Sequence, residues 1–340
     1  MRTLLLFVSL AAFFPAYGAE PCTTATPACT EWVGVDPQGV NLDAPARALV
    51  YRTYPLEKKN DKITRALIVV HGAGRDADNY FRTALAATFL AGAFEDTIVI
   101  SPRFASNNGR GCNDKLDLTE INWSCSGDSW RSGGVAANND KLTSYDLMDE
   151  ILRKLARKAA FPNLKVIVVS GHSAGGQYVT RYEMANRVQD TLGIPINYVV
   201  SNPSSYAYVD SERPAGINGE LRAFGDARNC TTYDNWPYGL KNRSGYTANI
   251  PDDQLKRQLA ARGVTYLLGE LDILPLGGFD SSCPAMAEGP TRLARGQAFA
   301  NYVNQKYQAQ HKVLVIPLCG HNARCMFTAE LALPILFPKL

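Results

Sequence analysis

The chain has 340 residues, 46% of them hydrophobic and 20% charged, which excludes a disordered chain and suits a folded protein with a sizeable core. A formal net charge of +3, with no dense Lys/Arg block interleaved with aromatics, argues against nucleic acid or an acidic membrane surface as partner. A neutral or weakly charged molecule is expected instead.

Residues 1–19 read as a secretory signal: Arg2, an apolar run from Leu4 to Phe14, then the small residues Ala16, Gly18 and Ala19. Cleavage after Gly18 or Ala19 leaves a mature chain, 20–340, expected to be one domain. The apolar run is too short to span a bilayer comfortably, and no later stretch does better, so the chain is expected to be secreted or periplasmic without a membrane span. Eight cysteines, all beyond the signal, fit an oxidising destination. Proximity along the chain suggests the pairs Cys22–Cys29, Cys112–Cys125 and Cys319–Cys325, leaving Cys230 for Cys283. No tight Cys pair or Cys/His cluster has zinc-ligand spacing, so no metal is expected.

Residues 31–35 and 47–54 look like two antiparallel lead-in strands. Six short apolar runs follow, at 65–70, 96–100, 165–170, 197–200, 264–268 and 312–316, each a candidate parallel strand buried on both faces. Helical patterns lie between them, over 79–91 and over 142–158, where Tyr145, Met148, Ile151, Leu152 and Leu155 share one face. Strand and helix in alternation predict a doubly wound α/β sheet, mostly parallel and of about eight strands. Two connections, 102–140 and 203–262, are too long for plain turns. The second carries Tyr206, Tyr208, Phe224, Tyr233, Trp236, Tyr238 and Tyr246 and is expected to cap the site, with about half of these aromatics filling a satellite core.

The run Gly171-His172-Ser173-Ala174-Gly175-Gly176 follows the strand at 165–170 and precedes a possible helix over 177–185. A serine with glycine at minus two and plus two, on a strand-to-helix turn, is a nucleophile elbow: the turn leaves no room for flanking side chains and holds the hydroxyl out at the carboxyl edge of the sheet. A serine hydroxyl needs a base, and a carboxylate to orient that base. Of four histidines, His71 ends a strand, His172 is expected to be turned elsewhere by the elbow, and His311 enters the last strand. His321 lies just past that strand, at the edge where Ser173 emerges. Asp272, leaving the preceding strand at the same edge, is the expected acid, with Glu270 and Asp280 as alternatives within a small change of register. Oxyanion donors are expected at the amide of Ala174 and, from His71-Gly72-Ala73-Gly74, at Ala73 or else Gly74. Neither glycine run has phosphate-loop spacing. Tyr178, Trp236 and Tyr238 are expected on the substrate wall.

The His-Gly-x-Gly, the Gly-x-Ser-x-Gly and the Asp and His after the last two strands stand in the order found in the α/β-hydrolase superfamily, which the chain resembles over about residues 30–335. The resemblance implies a serine hydrolase needing no cofactor. Among its branches the chain looks most like secreted esterases, such as feruloyl-type esterases and polyester depolymerases. The expected reaction is therefore hydrolysis of a small or polymer-linked carboxylic ester, with a peptidase or amidase using the same triad, or a non-catalytic binding protein of the same fold, as the alternatives.

Overall fold

The computed structural model describes residues 20–36, 46–109, 112–126, 129–215 and 219–340; the expected signal segment 1–19 lies outside them. Eight strands form the central sheet: β1 (Thr30–Gly34), β2 (Arg47–Arg52), β3 (Arg65–Val70), β4 (Thr97–Pro102), β5 (Val166–His172), β6 (Ile196–Ser201), and two more across a long excursion. In that excursion β7 (Glu212–Ala215) and β8 (Glu220–Ala223) make a separate hairpin; β9 (Gly263–Gly269) and β10 (Lys312–Ile316) then complete the sheet. The order across the sheet is β1-β2-β4-β3-β5-β6-β9-β10. β1 pairs antiparallel with β2 and β2 with β4, while every other pairing is parallel. The two lead-in strands and the six candidate parallel strands are all present in those orientations.

Side chains alternate between the two faces of a strand, and the core divides accordingly. Ile68, Val70, Val169, Val200 and Leu268 face one layer, with residues of α2 (Ser144–Ala156), α3 (Ala174–Ala185) and α6 (Arg292–Tyr307), among them Leu152, Tyr182 and Phe299. Leu67, Val69, Val168, Val199 and Leu267 face the other, with Phe81 of α1 (Ala77–Leu90), Met326 of α7 (Ala323–Thr328) and Leu336 of α8 (Leu333–Leu336). Burying one such aliphatic side chain stabilises by about 1.5–3 kcal/mol. β10 departs from the expectation of burial on both faces: it is the last strand of the sheet, and Lys312 and Val313 are exposed. α2 starts where the amide and hydroxyl of Thr143 both donate to Asp146, each at 2.7 Å.

The 203–262 connection ends in α4 (Asp252–Ala261), the helix that returns the chain to β9. Tyr206, Tyr208 and Tyr246 are buried in the main core, whereas Phe224, Tyr233, Trp236 and Tyr238 are only partly covered. All four expected disulfides are formed: Cys22–Cys29, Cys112–Cys125, Cys230–Cys283 and Cys319–Cys325. The short α5 (Cys283–Met286) follows directly from the third of them. No described helix is long and apolar enough to cross a membrane.

Candidate active site

Ser173 sits between β5 and α3 with φ 59° and ψ −119°, in the left-handed half of backbone space that a side chain enters only under constraint. The constraint is steric. A Cβ on Gly175 would lie 2.1 Å from the carbonyl oxygen of Val70, and one on Gly171 would lie 2.3 Å from that of Gly175. Gly176 meets the same limit, 2.6 Å from the Ser201 carbonyl. Without these three glycines the chain could not turn so sharply between β3 and β6.

The serine hydroxyl lies 2.9 Å from His321 Nε2, and His321 Nδ1 donates to Asp272 Oδ2 at 2.7 Å. The structure thus joins the expected serine, base and acid in one hydrogen-bonded chain. Glu270 instead accepts from the Leu318 amide, and Asp280 accepts from Tyr238 and Ser282, so neither alternative carboxylate reaches the imidazole. Asp272 is buried, and its second oxygen lies 3.4 Å from a guanidinium nitrogen of Arg292. Arg292, itself fully buried, also donates to the Ser204 hydroxyl and to the carbonyls of Leu276 and Gly277. Burial lowers the Arg292 pKa, and the adjacent Asp272 carboxylate opposes that shift. Asn202 braces the same edge: its side chain accepts from the Gly269 amide and donates to the Gly320 carbonyl, linking the ends of β6 and β9 to the turn before His321.

The amides of Ala73 and Ala174 donate to no carbonyl or side chain among the described residues, as oxyanion donors must before a ligand arrives. A Cβ on Gly72 would lie 2.7 Å from the Tyr80 hydroxyl, so a side chain there would displace that ring. An open cavity of about 560 Å³ lies over Ser173, lined by Ala73, Asp76, Tyr80, Arg82, Gly277 and Arg324 among others. Among the described residues, no three His, Cys, Asp or Glu side chains gather as metal ligands would.

Three expected wall residues are misplaced. Tyr178 is fully buried, donating to the Ser144 carbonyl and stacked among Phe104, Trp130 and Tyr145, because α3 turns that position into the core. Trp236 donates to the Ser132 carbonyl and Tyr238 to Asp280, and neither lines the cavity. None of the described residues of 203–262 lines it either; the excursion packs beside the site and does not cap it.

His172 also departs from expectation. Its ring lies 4.7 Å from that of His321, it is hydrogen-bonded to the Tyr80 hydroxyl, and it lines the cavity. Burial, reinforced by His321 and Arg292, depresses its pKa well below the ordinary histidine value, so it stays neutral beside the base. His71 donates from Nδ1 to the Gly72 carbonyl and accepts the Phe104 amide at Nε2; burial lowers its pKa to about 4. Tyr80, Asn202 and Arg292 escape sequence reasoning because each is joined to the site by a contact across many residues, with no local motif to mark it.

Sheet order, elbow and the placement of these side chains define an α/β-hydrolase fold. Two solved structures share it. The poly(3-hydroxybutyrate) depolymerase of Bordetella parapertussis is 20% identical, with a TM-score of 0.59 over 86% of this chain and 84% of that one. The poly(aspartic acid) hydrolase-1 of Sphingomonas sp. KT-1 is 21% identical, with a TM-score of 0.55 over 86% of this chain and 94% of that one. No family model matches the chain, and no curated protein matches it in sequence.

Proposed function

We propose that the protein is a serine hydrolase of carboxylic esters. The observation that carries this is the Ser173–His321–Asp272 chain of hydrogen bonds, set on a strained elbow beside two unengaged amides. Ser173 Oγ attacks the acyl carbon as its proton passes to His321 Nε2, while Asp272 holds the imidazole from Nδ1. The carbonyl oxygen, now negative, accepts from the amides of Ala73 and Ala174; each such donor is worth about 10²–10³ in turnover. Collapse breaks the bond to the alcohol oxygen, which takes the proton from His321 Nε2. Water then attacks the acyl-serine, giving a proton to His321, and the second collapse returns that proton to Ser173 and frees the acid. Every step uses groups already in place and calls for no cofactor.

The names of the two structural neighbours, one a polyester depolymerase and one a hydrolase of poly(aspartic acid), agree with acyl transfer and leave ester against amide to the assay. Labelling with a fluorophosphonate, together with turnover of p-nitrophenyl acetate and of a peptidyl p-nitroanilide, separates the readings. Labelling lost in Ser173→Ala and turnover of the ester in excess of the anilide are expected. A folded protein that neither labels nor turns over either substrate would be a binding module instead. The four disulfides and the segment 1–19 support an exported protein, secreted or periplasmic, checked by where the mature amino terminus is recovered.

A further inference from the structure

Five aliphatic side chains stand in solvent on the segments that follow β9 and β10. Leu271, Ile273, Leu274 and Leu276 follow β9 and Leu318 follows β10, with exposures from 49% for Leu271 and Ile273 to 80% for Leu318. The two segments are laced together: the Leu271 amide donates to the Cys319 carbonyl, and the Leu318 amide to Glu270, both at 2.9 Å. Between 271 and 279 the only charged residue is Asp272, which is buried, so the exposed strip is uncharged. Glu270 at its margin is engaged by Leu318, and Asp280 at the far end by Tyr238 and Ser282. Exposed aliphatics concentrated on two laced segments next to a site mark a candidate binding surface.

The cavity itself does not supply that recognition. Its described lining contains no Leu, Ile, Val, Met or Phe, and its α1 side carries Asp76, Asn79 and Arg82. The strip, by contrast, is continuous with the base. Gly277 and Gly278, which end the loop, line the cavity, and a Cβ on Gly277 would lie 3.0 Å from His321 Cδ2.

This contact decides which part of an ester the strip meets. The carbonyl oxygen belongs with Ala73 and Ala174, whereas the leaving alcohol oxygen must lie within reach of His321 Nε2 to receive its proton. A chain attached to that oxygen leaves the cavity on the His321 side, over the loop that ends beside the imidazole at Gly277. We propose that Leu271, Ile273, Leu274, Leu276 and Leu318 form a docking strip for an extended, uncharged aliphatic chain on the alcohol side of the ester. The proposal rests on the ester-hydrolase reading above.

Two ester series test it. With ethyl, butyl, hexyl and octyl acetates, kcat/KM should rise by about twofold per methylene, a half-covered share of the transfer free energy of a CH₂ group. The protein carrying Leu274→Ser and Leu318→Ser should flatten that series while ethyl acetate stays within about twofold of wild type, as surface substitutions usually do. The p-nitrophenyl alkanoate series, which varies the acyl side, should keep the same slope in both proteins. A flat alcohol series in the wild type, equal slopes in the variant, or a variant effect confined to the acyl series would overturn the assignment. So would a wild-type dimer in sedimentation velocity that the double variant dissociates, since a second copy would then cover the strip. One measurement does not depend on turnover: Ser173→Ala protein should be retained on octyl-agarose, and the same protein with Leu274→Ser and Leu318→Ser should not. Equal retention sinks the docking strip whatever the fate of the hydrolase reading; absent labelling and turnover in the wild type sinks the hydrolase reading alone.

Discussion

The two halves of the site are held by different physics. On the elbow side, Ser173 is fixed by backbone meeting backbone: Gly171, Gly175 and Gly176 leave room only for hydrogen at positions where β3, β5 and β6 converge. On the acid-base side, Asp272 and His321 sit on loops, and what places them is mainly polar, the Arg292 guanidinium and the Asn202 amide, with the Cys319–Cys325 disulfide as a covalent tie. A steric device is short-range and leaves a signature within a few residues. A polar network joins residues that are far apart in the chain, and each of its members looks ordinary on its own.

The steric half should fail all at once. Gly175→Ala puts a methyl 2.1 Å from the Val70 carbonyl, with backbone on both sides and no flexible side chain to give way. The expected outcome is loss of folded protein, a destabilisation on the order of 4 kcal/mol or more. A soluble variant with a wild-type melting temperature would show that the turn is not set by this contact. The polar half should fail by degrees. Asp272→Asn keeps shape and removes the charge that orients His321, and kcat should fall about 10⁴-fold with little change in melting temperature. Retention of most activity would mean that another carboxylate serves the base.

The difference in physics also explains what could be read from the sequence. Ser173, the strands around it and the glycines at 72 and 74 are marked by local spacing, and β-branched runs mark all six parallel strands. The pairing of cysteines followed from nearness along the chain. Asp272 stood level with Glu270 and Asp280 until the register of the loop decided among them. Arg292 carried no mark, because the guanidinium comes from α6, twenty residues beyond the carboxylate it touches. The excursion at 203–262 misled for a related reason: aromatic density signals burial somewhere, and Tyr206, Tyr208 and Tyr246 are buried in the sheet's own core. His172 was misjudged because the elbow's strain fixes the serine side chain, while the preceding residue still belongs to β5 and points along its face toward Tyr80 and His321.

Arg292 provides a sharper division within the polar half. Its side chain touches Asp272 and also holds the loop at Leu276 and Gly277. In Arg292→Met the carboxylate loses its cation and the loop two of its anchors, so kcat should drop about 10²-fold through misplacement of the imidazole. Arg292→Lys restores charge without the forked geometry and should recover part of that loss. A packing role alone would lower the melting temperature, leave kcat near the wild-type value and give no recovery in the Lys variant.

The smallest effect expected lies back on the elbow side, in acid. His71 directly follows β3, with Nδ1 donating to the Gly72 carbonyl and Nε2 accepting the Phe104 amide, and burial lowers its pKa from 6.5 to about 4. Between those values the unfolded chain binds a proton that the folded one does not, so stability rises with pH and is lost as pH falls from 6.5 through about 4. One histidine contributes about 3 kcal/mol at most over that window, and about 2 kcal/mol of it should be gone at pH 5. Protonation at Nε2 would also replace the acceptor of the Phe104 amide with a second donor, loosening the stack of Phe104 on Trp130. Urea unfolding at pH 7 and pH 5 checks this directly. His71→Gln, which lacks a group titrating in that range, should be less stable than wild type at pH 7 yet lose less on acidification. Equal acid losses in the two proteins would move the titration to His172 or His311, both of which burial also keeps neutral.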